Sequence, residues 1–321
     1  MPRTLICALT ILLAGCVTTP PVPARAARNT TITSDADIER MLPALTNWGR
    51  WGAQDQLGTL NYITEAAIRK ASKLARDGRT VSLARPVTLA ANPGVRRSTY
   101  EMEKHESGSR DYLGAIWHGF AQTHLDALCH SFANTGAMYN GIPTSEVTAA
   151  GCGKLDITVI ANRGVVGRGV LLDVGALRGA ELELGSAITI DDLEEAARRQ
   201  RVTVRSGDIL LVRTGAGVRN TRERRTGLHP DCLPWLKEKQ IALLMSDGDS
   251  DVAPLPGFDR WSSAMHSVAI PYLGLPLVDN AELDEVARLC AATRRWVFLI
   301  VIAPWRMTGA TSSPVNPIAI F

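Results

Sequence analysis

Trp117-His118-Gly119-Phe120-Ala121-Gln122-Thr123-His124-Leu125-Asp126-Ala127-Leu128-Cys129-His130 carries three of the six histidines in the chain. On an extended backbone successive side chains alternate, so His124 and Asp126 share a face and an imidazole nitrogen and a carboxylate oxygen converge on one point. Such a pair suits zinc or manganese. If the chain turns helical at Asp126, His130 follows one turn later on the same side, near a metal and able to handle protons. The same H-x-D-x-x-x-H spacing also serves a buried, hydrogen-bonded histidine–carboxylate pair without a metal, and spacing alone leaves both open.

Outward from this segment the chain mixes short apolar runs with helical patterns. Val159-Ile160, Gly169 to Val174, Asp208 to Arg213, Ile241 to Ser246 and Trp296 to Ile302 read as mostly buried strands bounded by glycine or polar residues. Thr64 to Arg76, with a threonine cap and Gly78 beyond its end, reads as a helix. So do Asp191 to Gln200 behind a Thr189-x-x-Asp192 capping box and Ala281 to Thr293 with its helically spaced apolar residues. The mixture implies an α/β or mixed layered domain. Neither G-x-G-x-x-G nor G-x-x-x-x-G-K-[ST] occurs, so no nucleotide cradle is indicated. Asp247-Gly248-Asp249-Ser250-Asp251 starts like a calcium loop but has Val252 and Phe258 where glycine and glutamate belong, so that reading fails. It reads as a polar loop at a strand end, with support of a nearby active site as the sharper alternative.

Thirty-five basic and thirty-two acidic side chains give a net charge of +3 with no basic tract, which excludes nucleic acid as a partner. Arg3 precedes the apolar run Leu5 to Leu13, too short to span a bilayer and of the length of a signal-peptide core. Leu13-Ala14-Gly15-Cys16 resembles the lipobox of bacterial lipoproteins, which makes residues 1–15 a signal peptide and Cys16 the lipidated residue. Residues 16–31, with Pro20, Pro21 and Pro23, read as a tether, and the folded domain is expected to span 32–321. The expected location is extracytoplasmic, in the periplasm or cell envelope, with membrane contact only through the lipid. Cys129, Cys152, Cys232 and Cys290 then remain, and their three possible pairings stay open.

Thr123-His124-Leu125-Asp126-x-x-x-His130 resembles the signature of the cyclase family, which includes bacterial kynurenine formamidases and isatin hydrolases. Trp51-Gly52-Ala53-Gln54-Asp55-Gln56-Leu57-Gly58-Thr59-Leu60-Asn61 is similar to the opening of its longer members, and Ser313-Pro314-Val315-Asn316-Pro317-Ile318-Ala319 to their closing segment. Gly169 to Asp173 and Gly207 to Gly215 are similar to strands between them, so the resemblance runs from about Trp48 to the C-terminus. It implies a single α/β domain with a central mixed β-sheet and flanking helices, a swivelling β/β/α fold. Also implied are His124 and Asp126 as metal ligands, His130 as the acid/base histidine, and His266 with Asp279 as the later ligands. Asp279 stands where many relatives have glutamate.

A second departure is sharper. Formamidases carry a histidine four residues before His124, where this chain has Phe120, and His118 lies two positions earlier. Either a small bulge lets His118 take the vacant role, or Gln122 or water completes the sphere and fewer metals bind. Trp48 and Trp51 are candidates for an aromatic wall against the substrate, with Phe120 and Gln122 facing it, while His105 and His229 read as solvated side chains. The resemblance further implies one or two divalent ions, Zn2+ or Mn2+, a small-molecule substrate, and a homodimer or homotetramer. The reaction it suggests is hydrolysis of an amide-type C–N bond in an arylformamide or a lactam-like cyclic amide. Cyclisation or dehydration on the same scaffold is the rival, as is a non-catalytic metal- or solute-binding lipoprotein.

Overall fold

The structure, a computed structural model, describes residues 32–87 and 98–321; the expected signal peptide, lipidated Cys16 and tether lie outside the described residues. Nine segments pair into one sheet: β1 Thr80–Ser82, β2 His124–Asp126, β3 Val165–Asp173, β4 Ile209–Arg213, β5 Leu243–Ser246, β6 Leu277–Asp279, β7 Val297–Ile302, β8 Ser312–Pro314 and β9 Ile318–Ile320. The order across the sheet is β1-β9-β7-β3-β4-β5-β6-β2-β8. β3, β4, β5 and β6 run parallel, and every pairing outside this quartet is antiparallel. Parallel strands covered on both faces need continuous apolar runs. Leu171, Leu172, Leu210, Leu211, Leu244, Met245, Leu277 and Val278 supply them, all fully buried.

The runs read as strands from Gly169, Asp208, Ile241 and Trp296 fall on β3, β4, β5 and β7. Val159-Ile160 does not form a strand: it lies in the helix Ile157–Ala161, which buries Ile157 and Ile160 one turn apart. A short apolar run fits a buried strand and a buried helical turn equally well, and here the helix wins. The helix expected over Thr64 to Arg76 spans Glu65–Ala71 before tightening into a 3-10 turn, with the Thr64 hydroxyl accepting from the Ala67 N–H at 3.1 Å. The last helix begins at Asp284 rather than Ala281. Asn280 sits in the left-handed region at φ 57°, and the next two N–H groups donate to the Ser246 and Leu83 carbonyls instead of starting a helical turn. Ile190–Gln200 carries the full capping box of Thr189 and Asp192.

None of the three full pairings of four cysteines is formed: Cys129 is joined to Cys152, while Cys232 and Cys290 are buried free thiols. The bridge ties the turn after β2 to the two-residue ladder of Val147–Thr148 with Gly151–Cys152. No helix among the described residues is long and apolar enough to cross a membrane.

The alternation expected around Asp126 holds on β2. Leu125 is fully buried in the core cluster between two polar neighbours. Leu125→Ala should cost about 2–5 kcal/mol through lost transfer energy and a residual cavity, read as a lowered denaturant midpoint with an unchanged m-value. A loss under about 1 kcal/mol, far below the range for core truncations, would show that this strand is not packed as described.

Candidate metal centre

The register of the antiparallel ladder assembles the floor of the site. Asp279, the last residue of β6, is directly opposite His124 on β2, and Asp126 follows two residues later on the same face. His124, Asp126 and Asp279 are 2%, 1% and 3% exposed. Asp126 is in turn opposite Ser312 of β8, so the segment expected to close the domain borders the site.

Four imidazoles surround the Asp126 carboxylate. Oδ1 lies 3.1 Å from His118 Nδ1 and 3.5 Å from His124 Nε2. Oδ2 lies 3.5 Å from His266 Nε2 and 4.0 Å from His130 Nε2. His266, on a π-helical segment Met265–Leu273, also places Nε2 3.0 Å from Asp279 Oδ2. Burial alone would raise the Asp126 carboxyl, but the imidazoles, His130 and His124 foremost, hold it well below the carboxylate range. Burial opposes a charge on His266, yet Asp279, Asp126 and Asp251 together raise it well above the ordinary histidine range. His130 goes the other way: burial, against the pull of Asp126 and with the help of the other histidines, pushes it down to about 4.

His118 does enter the cluster, although not through a bulge in a strand. Residues 115–123 are irregular, and Gly119 at φ 123° turns the backbone where a side chain would be strained. Its ring stacks on His130 at 3.9 Å between centroids, and Nε2 is held by the Thr311 hydroxyl at 2.9 Å, which leaves Nδ1 facing Asp126. Nor does the chain turn helical at Asp126. The Ala127 N–H donates to the Thr311 carbonyl, and a single turn closed by His130 N–H to Ala127 O carries His130 round to the site. His124 has its Nδ1–H on the Gln122 carbonyl at 2.9 Å, and a carbonyl can only accept, so Nε2 is left with its lone pair toward the cluster.

These residues fit a divalent cation. Asp126 is buried, yet among the described residues neither of its oxygens accepts a hydrogen bond, an arrangement that is costly unless a cation completes it. His118, Asp126 and His130 form one group of donor atoms within 4.8 Å of one another, and His124, Asp126 and Asp279 form another. Asp126 belongs to both. The shorter arm of aspartate at position 279 still reaches, with Oδ1 accepting from the Ser250 hydroxyl at 2.9 Å.

The loop after β5 supplies support that the sequence only hinted at. Asp251 Oδ2 accepts from His266 Nδ1–H at 2.6 Å and Oδ1 accepts the Met265 N–H at 2.7 Å. Asp249, raised to about 6 chiefly by burial, pairs with the Arg225 guanidinium at 2.9 Å. Asp247 accepts from the Thr214 hydroxyl and the N–H groups of Thr214 and Gly215 at 2.7–3.0 Å. Asn280 donates to the carbonyls of Gly119 and Gln122, fixing the segment that carries His118. Thr311 and Asn280 carried no sequence signal of their own, because each acts across more than a hundred residues, whereas Asp251 belongs to the acidic loop for which support of a nearby site was the sharper reading.

The residues expected to face the substrate make contacts of their own. Trp48 stacks on Tyr272 at 5.9 Å and donates through Nε1 to the Pro271 carbonyl, and Trp51 meets the Tyr62 ring edge-on at 5.0 Å. Phe120 lies under the Arg225 guanidinium at 6.0 Å, and Gln122 is buried beside His124. His105 is exposed on the two-stranded arm Thr99–His105 with Gly108–Gly114, as expected. His229 is not solvated: it is half-buried against Phe258 and accepts the Asp231 N–H at Nδ1.

Comparison with known proteins agrees with the geometry. A solved structure described as a novel cyclase is 29% identical with a TM-score of 0.79, and the match covers 87% of this chain and 99% of that one. Isatin hydrolase A from Ralstonia solanacearum shares the fold at 19% identity and a TM-score of 0.56, covering 80% of this chain and 97% of its own. An isatin hydrolase bound to the product analogue thioisatinate does so at 15% identity and 0.52, covering 81% and 99%. No curated protein matches the sequence. The Cyclase family model matches residues 90–250, and the chain belongs to the cyclase family.

Proposed function

We propose that the chain is a metal-dependent hydrolase that cleaves an amide-type C–N bond in a small aromatic substrate, either an arylformamide or a cyclic amide of the isatin kind. The observation that carries this reading is the buried Asp126 carboxylate, without a hydrogen bond on either oxygen among the described residues, inside a ring of four imidazoles and a second carboxylate. A divalent cation held there supplies Lewis acidity, acidifying water toward neutrality and polarising a carbonyl. His124, Asp126 and Asp279 would hold it at the floor, with His118 and His266 at the sides.

His130 handles the proton. Its side chain is 28% exposed, at the open side of the cluster, and with its pKa at about 4 it is neutral at neutral pH. A neutral imidazole can take a proton from attacking water and return it to the leaving nitrogen, which an imidazolium cannot begin. The isatin hydrolases that share the fold make cyclic amides a natural part of the substrate panel. The Cys129–Cys152 bridge supports an extracytoplasmic location, where disulfides persist.

Zn2+ or Mn2+ should stabilise the protein by about 2.7 kcal/mol at a hundredfold excess over Kd, with EDTA reversing the shift in thermal unfolding and Asp126→Asn abolishing it. N-formylkynurenine, isatin and simple lactams, assayed before and after chelation, test the reaction. Activity that survives complete metal removal would overturn the reading. His130→Ala is expected to lower kcat at least a hundredfold, the usual scale of general acid–base catalysis, while metal content by mass spectrometry stays at the wild-type level. Because the neutral form of His130 is active and its pKa is depressed below the usual 6.5, kcat/KM should persist on acidification through pH 6.5 and fall only toward about 4. A positive ion bound beside it moves the pKa the same way.

A further inference from the structure

We propose that Asp251 is the positioning residue of His266: its carboxylate accepts the Nδ1–H, fixing the tautomer and ring orientation that present the Nε2 lone pair to the cation at Asp126 and Asp279. The proposal rests on the metal-centre reading above. Asp251 is 2% exposed and uses both oxygens, Oδ1 on the Met265 N–H at 2.7 Å and Oδ2 on His266 Nδ1 at 2.6 Å. One carboxylate thus holds the backbone that starts the π-helical segment and the ring that projects from it. The other acceptor near that ring nitrogen, Asp249 Oδ1, is 3.7 Å away and its carboxylate is already engaged by Arg225 and the Asp251 N–H. Nε2, on the far edge of the imidazole, is 3.0 Å from Asp279 Oδ2 and 3.5 Å from Asp126 Oδ2.

A histidine ligates a metal through a nitrogen that has no proton, so the partner of the other nitrogen decides whether it can ligate. A carboxylate on Nδ1 demands the proton there and frees Nε2. An amide in its place can keep the Met265 bond through its oxygen while its NH2 faces Nδ1, which favours the opposite tautomer and puts a proton on the ligating nitrogen. Replacing the orienting aspartate of a histidine with asparagine acts by this wrong-tautomer route in the serine-protease triad.

The test is Zn2+ affinity of the full chain, measured by competition with a chromophoric chelator for the wild type, Asp251→Asn, His266→Ala and the double variant. Asp251→Asn is expected to weaken Zn2+ about 10–100-fold, the scale seen when partners behind ligands are removed, and to add nothing in the His266→Ala background. Loss of affinity that persists in that background would make Asp251 a general structural support and overturn the proposal. Weakened binding in His266→Ala with wild-type affinity in Asp251→Asn would overturn it while leaving the metal-centre reading intact. Wild-type affinity in both single variants would remove His266 from the ligand set and the proposal with it. If Asp251→Asn fails to fold, 15N chemical shifts of His266 in the Zn2+-loaded wild type decide: a protonated Nδ1 is expected, and a protonated Nε2 overturns the assignment.

Discussion

The antiparallel step from β6 to β2 brings the site together. Asp279 and His124 are ladder partners, so their side chains must leave the same face of the sheet within a few ångströms, and the two-residue period adds Asp126 to them. Leu125 and Val278, also ladder partners, must leave the opposite face and are fully buried in the core. A shift of β2 by one residue in this register would turn His124 and Asp126 into the apolar core and Leu125 into the site. The apolar face therefore enforces the polar one. Two carboxylates this close and this buried repel each other, and the ring of imidazoles around them, or a cation, is what makes the arrangement tolerable.

The loop after β5 does for orientation what the ladder does for position. Asp247 binds the end of β4 through Thr214 and Gly215, Ser250 holds Asp279, and Asp251 holds His266. The loop leaves the C-terminal end of a parallel strand, where ligands collect in α/β sheets. Its run of acidic residues looks like a cation loop in sequence, yet each carboxylate faces a different protein partner. Composition alone could not show that, since the partners come from three separate parts of the chain.

What was legible in the sequence follows the same division. His124 and Asp126 were readable because the relation between neighbours on a strand is local, and His130 reaches the same site through one tight turn rather than through the helix its spacing suggested. His266 and Asp279 entered through family resemblance, which carries long-range pairing that periodicity does not. His118 could not be decided, because its place depends on the reversal at Gly119 and on a hydroxyl at Thr311, 193 residues away. After Asp126 the chain closes a single hydrogen-bonded turn, His130 N–H to Ala127 O, in place of the helix that the spacing also allowed. The long parallel strands announced themselves by continuous apolar runs. The three-residue strands β1, β2, β6, β8 and β9, on which the site and the sheet edges rest, are too short to carry a pattern and are defined only by their pairing.

Exposure within the cluster separates two kinds of work. His124, Asp126 and Asp279 are almost fully buried, whereas the side chains of His118 and His130 are each 28% exposed and that of His266 is 18% exposed. Groups that hold charge gain from burial, since a low local dielectric strengthens every contact with a cation. A group that passes protons needs access to water and substrate, and a neutral resting state. His130 has both, and it is tied to the floor only through a 4.0 Å approach to Asp126 and the stacked ring of His118. The disulfide at the adjacent Cys129 anchors the backbone on which it sits. Among the described residues the rim histidine is thus held by covalent and packing constraints rather than by side-chain hydrogen bonds.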